Sequence, residues 1–223
     1  MDVLFISSSN KFNSELQLII DLFDNGLERL HLRKPKFSKN RLIEYLEAIP
    51  QKYHDRIILH SHYSLAVKYK LQGIHLGRSI KKKPTKVAWT RFWLRFRHPK
   101  IVFTTSCYSL LCLLEDKDDY DSVILSPIFD SISKRGYTAA FEEDQLRSIL
   151  YKTKHKVIAM GGIDKSKVHK SFELGFSGIM LSGIMWDADK NARIPLFESI
   201  KEGADDPKKT IPKIVIKPVN LKM

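Results

Sequence analysis

Eight short apolar runs recur along the chain. "DVLFIS" (2–7), "LERLHLR" (27–33), "RIILH" (56–60), "GIHLG" (73–77), "KIVFTTS" (100–106), "DSVILS" (121–126), "KVIAM" (156–160) and "SGIMLS" (177–182) are more continuous than alternating. That is the pattern of parallel strands covered on both faces. Between them, "SELQLIIDLF", "RLIEYLEAI", "YSLAVKYKL", "SLLCLLE", "EEDQLRSILY" and "KSKVHKSFELG" carry helical spacing, several behind a Ser or Asp suited to cap a helix. The alternation predicts an α/β fold, a (β/α)8 TIM barrel over residues 1–203. A basic extension, 204–223, follows with three prolines and no helical period. A doubly wound open sheet is the alternative, but it would carry a glycine phosphate turn after its first strand, and "FISSSNK" has no glycine.

A barrel places its chemistry at the C-terminal ends of its strands, with phosphate commonly held after strands seven and eight. Those loops read "AMGGID" and "LSGIMW". Their glycines let backbone N–H groups approach an anion, and the N-terminus of the following helix adds its positive end. Directly after strand six, "FDSISKRGY" offers the hydroxyls of Ser131 and Ser133 and the ammonium of Lys134, donors suited to an anion.

Composition sharpens this picture in three places. A hydrophobic content of 43% supplies a core, and a net charge of +13 draws anions, whether phosphorylated metabolites, nucleic acid or an acidic membrane. The apolar runs are too short to span a bilayer and the N-terminus lacks a basic n-region, so a cytoplasmic protein is expected. Cys107 and Cys112, five apart, match no zinc or redox spacing and are expected as buried free thiols. From Arg78 to Lys100 there are nine Lys or Arg residues and no acid. There Trp89, Phe92, Trp93 and Phe96 form an i, i+3, i+4, i+7 stripe. The stripe is expected to pack on the barrel and leave Arg91 and Arg95 in solvent. A membrane- or RNA-binding helix is the alternative.

Four segments, in order from about residue 28 to 185, resemble the thiamine phosphate synthases and their relatives the thiazole tautomerases (TenI-type proteins). "LHLRKP" is similar to the family's strand end hLRxK, and "LHSHYSLAVKYKLQGIHLG" to its INDxxxLA…GxHLGQ. "SPIFDSISK" is similar to GPxFxTxTK, and "AMGGIDKSKVHKSFELGFSGIMLSGI" to AIGGI…GadGvavvsaI. The resemblance implies a barrel enzyme of thiamine biosynthesis, a transferase or an isomerase, that binds thiazole phosphate or thiamine phosphate. It implies phosphate contacts from Ser106, Ser131, Ser133, Lys134, Gly161, Gly162, Ser182 and Gly183, with Arg33 and Lys134 also in catalysis. A phosphorylated small molecule is the expected partner, without membrane or nucleic acid, and homo-oligomerisation stays open.

The resemblance also marks departures. The family's Asn-Asp pair after strand three falls on His60 and Ser61, and its second metal aspartate on Ile80. No metal site is therefore expected, and Mg²⁺ enters only if the synthase step is retained. The second cation of RxK becomes Pro35, with Lys34 or Lys36 as substitutes. Where tautomerase-type relatives carry a histidine after strand five, the chain has Tyr108, a poor base at its ordinary pKa. His60 is the candidate general acid–base, with His62 beside it. His31 and His75, inside strands, are expected to be hydrogen-bonded barrel residues. A transition-metal site built on histidine has no geometry in the spacing. Two other readings remain: a non-catalytic sensor of a phosphate ligand, and a surface binder through residues 78–100.

Overall fold

In the computed structural model, residues 1–9, 14–115, 118–130 and 141–206 are described. Eight parallel strands close into a barrel in sequence order, β8 pairing with β1. They are β1 (Asp2–Ile6), β2 (Arg29–Leu32), β3 (Ile57–Leu59), β4 (Gly73–Leu76), β5 (Val102–Cys107), β6 (Ser122–Leu125), β7 (Val157–Met160) and β8 (Gly178–Leu181). Each lies within one of the eight apolar runs, apart from an overhang of one residue at the end of β5. The outer helices are α1 (Glu15–Asp24), α2 (Lys39–Glu47), α3 (Ser64–Lys68), α4 (Arg78–Lys81), α5 (Pro84–Arg97), α6 (Leu110–Glu115), α7 (Glu143–Lys152), α8 (Lys165–Leu174), α9 (Gly183–Asp187) and α10 (Arg193–Asp205). α10 was not among the predicted helical segments, and it carries the helical layer two residues past Gly203.

Strand parity divides the buried side chains into two sets. Outward residues such as Val3, Phe5, Leu30, Leu32, Ile57, Leu59 and Phe103 pack under the helices in one large core. Inward residues Leu4, Ile6, Ile124, Ile158 and Met180 form a separate small cluster inside the barrel. A fully buried Leu or Phe of this kind contributes about 1.5–3 kcal/mol relative to exposure. That inner cluster draws on β1, β6, β7 and β8 alone, so half of the interior is apolar. On β2 to β5 the inward face carries His31, His75, Thr104 and Ser106 beside the apolar Ile58, and there the candidate site lies.

The basic segment departs from expectation. Pro84 begins α5 and breaks the run into two helices, since proline suits the first turn of a helix but not its interior. On α5, Val87 and Leu94 are buried, whereas Trp89, Phe92 and Phe96 are 67%, 66% and 76% exposed. Arg91 lies 5.0 Å over the Phe103 ring and 5.2 Å over Tyr120, and Arg95 lies 5.2 Å over Phe103. The arginines also reach Asp118 and Asp119, at 4.0 and 3.7 Å. The expected orientation is therefore corrected for Arg91, whose side chain is largely buried against the barrel, and for three of the four aromatics, which face solvent. Arg95 stays exposed as expected. A flat guanidinium stacks on a ring and pairs with a carboxylate at once, which a tally of hydrophobicity does not register.

Cys107 and Cys112 are also corrected. They are bonded to each other, joining the end of β5 to α6, so neither is a free thiol. No described helix is long and apolar enough to cross a membrane.

Candidate functional site

His31 is the inward residue of β2 and His75 that of β4; His60 follows the last residue of β3. Register aligns His31 with Ile58 and Leu32 with Leu59, which sets His60 one step above His31 toward the C-terminal rim. Nδ1 of His31 lies 3.1 Å from Nε2 of His60. The His60 ring stacks on that of His75, with centroids 4.2 Å apart and planes at 14°. His31 meets both rings edge-on. His75 Nδ1 is 3.0 Å from Thr104 Oγ1 and its Nε2 is 3.1 Å from Ser106 Oγ, both hydroxyls on β5. Nε2 of His31 is buried without a hydrogen-bond partner, an arrangement that costs about 1–3 kcal/mol in an apolar interior.

Burial holds these rings neutral. His31 is driven well below the ordinary imidazole range by desolvation, then by the charges of His75 and Arg29. His60 is driven well below it by desolvation, then by His75, His31 and Arg33. His75 is lowered to about 4 by desolvation, then by Arg33 and Lys81. Arg33, exposed just after β2, is thus close enough for its charge to act on two of the rings. Its backbone is tied to Ser7, whose Oγ accepts from Arg33 N at 2.8 Å. Lys34 does not substitute for the cation displaced by Pro35. It is buried and bonded to Glu15, and Ser8 O accepts from its ammonium at 2.8 Å. Tyr45 OH and Ser8 N donate to the same Glu15 carboxylate at 2.9 and 2.8 Å.

The expected phosphate end is described in part. Gly161 and Gly162 both have positive φ, +98° and +66°. A Cβ on Gly162 would stand 2.4 Å from Asp130 O, and one on Gly161 would stand 3.0 Å from Pro127 Cα. Only glycine lets the turn after β7 lie this close to the segment after β6. Phe129 N donates to Gly161 O at 3.1 Å and Ile128 N to Met160 O at 3.0 Å, joining the two loops up to Asp130. Ser131, Ser133 and Lys134 begin immediately beyond and lie outside the described residues. The N-terminus of α8 is not open as expected: Asp164 accepts from Ser166 N and Lys167 N. Ser182 and Gly183 are half-buried after β8, whose Met180 pairs in register with Met160 of β7.

Ser106 and His60 thus both adjoin His75 on the β2–β5 side, Arg33 follows β2, and Gly161, Gly162, Ser182 and Gly183 follow β7 and β8. His62 is exposed, its ring near Phe37 O, and Tyr108 is exposed as well. His31 and His75, expected as hydrogen-bonded strand residues, meet His60 in one cluster whose geometry the spacing does not specify. The available signal was the repeated "LHL" and "IHL", the same inward position on strands two apart. Among the described residues, these three histidines are the one group of three or more His, Cys, Asp or Glu side chains placed to share an ion.

Comparison with known proteins agrees with this architecture. A curated thiamine-phosphate synthase from Chlorobium phaeobacteroides is 21% identical over 206 residues, covering 90% of this chain and 96% of that protein. The crystal structure of thiamine phosphate pyrophosphorylase from Bacteroides thetaiotaomicron is 28% identical, with a TM-score of 0.72 over 92% of this chain and 98% of that one. The Pyrococcus furiosus thiamine phosphate pyrophosphorylase shares the fold at 18% identity, with a TM-score of 0.74 over 93% and 96% of the two chains. The family model for thiamine monophosphate synthase (TMP-TENI) matches residues 3–184, most of the barrel, and the chain belongs to that family.

Proposed function

We propose that this barrel binds a thiazole phosphate at its C-terminal rim and moves a proton on it, in the manner of a tautomerase. The observation that carries the reading is the state of His60: a neutral, half-exposed imidazole at the barrel mouth, held between His31 and His75. When Nε2–H of His60 donates to His31, Nδ1 keeps its lone pair and faces no hydrogen-bond partner among the described residues. That nitrogen is the base. An isolated low-pKa imidazole is a weak base, but an anionic substrate beside it favours the imidazolium and raises its pKa toward neutrality. Arg33 orients the substrate's carboxylate. The glycine turns after β7 and β8, with Lys134, Ser131 and Ser133, take the phosphate. Ser106 bonds the inner ring of the cluster and borders the same space.

The synthase step relies on Mg²⁺ held by carboxylates, and the residues here do not fit that ion. Ser61 and Ile80 stand where the resemblance puts the aspartates. The groups that converge among the described residues are imidazoles and hydroxyls, whereas Mg²⁺ prefers carboxylate and phosphate oxygens. No step is therefore routed through magnesium.

Two assays run side by side test the reading. One follows isomerisation of a thiazole carboxylate phosphate; the other follows coupling of a pyrimidine-methyl diphosphate to thiazole phosphate, each with and without Mg²⁺. Isomerisation independent of Mg²⁺ is expected. Mg²⁺-dependent coupling without isomerisation would establish a modified synthase, and ligand binding without either turnover would establish a sensor.

A further inference from the structure

The three imidazoles have a second use that does not depend on the substrate. We infer that His31, His60 and His75 form a binding site for one divalent first-row transition-metal ion. One ring nitrogen from each lies within 4.8 Å of the other two, and no carboxylate belongs to the group. The 3.1 Å between His31 Nδ1 and His60 Nε2 is close to the roughly 3.4 Å that separates two nitrogens on one tetrahedral ion at 2.0–2.1 Å. Neutral imidazole is the ligating form. An all-nitrogen set of this kind favours zinc, cobalt, nickel or copper over magnesium or calcium.

The surroundings supply an orienting partner for one of the three ligands, and a way in. A ligating histidine is oriented by a partner on its other ring nitrogen. For His75 that partner is Thr104 Oγ1, at 3.0 Å from Nδ1, which directs the Nε2 lone pair toward Ser106. An ion at Nε2 takes the place of the Ser106 hydroxyl proton. His60 is half-exposed, so the entry path runs past its ring from the barrel mouth. Since the His60 and His75 rings lie nearly parallel, one ion cannot sit in both planes, and binding turns His60 out of the stack. Three histidines leave a fourth position open for water or a ligand atom.

Occupancy carries a consequence. An imidazole bound to an ion through Nε2 holds its own proton on Nδ1, so His60 cannot then act as a base. Metal occupancy and proton transfer by His60 exclude one another.

The test is direct titration of the chelator-stripped full chain with Co²⁺, read by visible absorption and calorimetry, with Zn²⁺ as competitor. One equivalent per chain, with the intense visible band of tetrahedral cobalt and displacement by Zn²⁺, is the expected result. His60→Gln is expected to abolish the band and weaken binding by more than the ~10–100-fold that loss of an outer-sphere partner costs. His62→Gln, outside the cluster, is expected to bind as the parent does. Circular dichroism checks each fold, and the half-exposed His60 keeps the test usable if variants of the buried His31 or His75 do not fold. Absence of stoichiometric binding, or binding unchanged in His60→Gln, overturns the site. Neither result bears on thiazole phosphate binding, so that reading would survive it.

Discussion

His60 rests flat against His75, ring centroids 4.2 Å apart, while its edge meets His31 at 3.1 Å. Imidazoles from three consecutive strands thus form one unit at the mouth of the barrel, on the side that carries its inward polar groups. The apolar cluster of Leu4, Ile6, Ile124, Ile158 and Met180 fills the other side. Substrate reactivity is assigned to the first half and phosphate anchoring to the loops above the second.

The anchoring residues yield the first prediction. Lys134→Ala should weaken binding of thiazole phosphate by about 1.5–3 kcal/mol, the range for a hydrogen bond to a charged group. Gly162→Ala should weaken it as well, because a Cβ 2.4 Å from Asp130 O forces apart the loops after β6 and β7. Calorimetric titration of both variants checks this; unchanged affinity in Lys134→Ala would remove the residue from the site.

A second prediction concerns the buried pair of Lys34 and Glu15. Removing the ammonium alone, in Lys34→Met, leaves a buried carboxylate and should cost about 3–5 kcal/mol. Lys34→Met combined with Glu15→Leu should recover much of that loss. Urea unfolding of the two single variants and the double variant measures the coupling, and simple additivity would show that the pair does not act as a unit.

The outward aromatics of α5 set up a third comparison. Replacing Trp89, Phe92 and Phe96 together by serine should change stability by no more than about 0.5 kcal/mol per site, since each is largely exposed. Arg91→Ala should cost about 1–3 kcal/mol, through lost stacking on Phe103 and Tyr120 and lost pairing with Asp118. The reverse ranking in thermal unfolding would mean that the aromatic stripe packs inward after all.

These contrasts show what sequence makes legible. The eight strands were readable because parallel strands, buried on both faces, must be continuously apolar, and "DVLFI" or "SVIL" can scarcely be anything else. The α5 orientation was not readable, because Arg91 joins the buried Val87 and Leu94 by stacking on Phe103 and Tyr120, a pairing between residues on different elements. The histidine cluster was hidden for a similar reason. Residues 31, 60 and 75 are far apart in sequence and meet only through barrel register, which pairs His31 with Ile58 and His75 with Thr104. The pairing of Lys34 with Glu15 crosses from α1 to the end of β2 and left no local trace.

Solvent-deuterium exchange into thiazole carboxylate phosphate, followed by proton NMR on the metal-stripped enzyme, reads the central claim most directly. The parent chain should wash deuterium into the substrate, and His60→Gln should lose at least ~100-fold of that rate while still binding the ligand. Exchange at the parent rate in His60→Gln, or no exchange in the parent at all, would contradict a proton-transferring barrel.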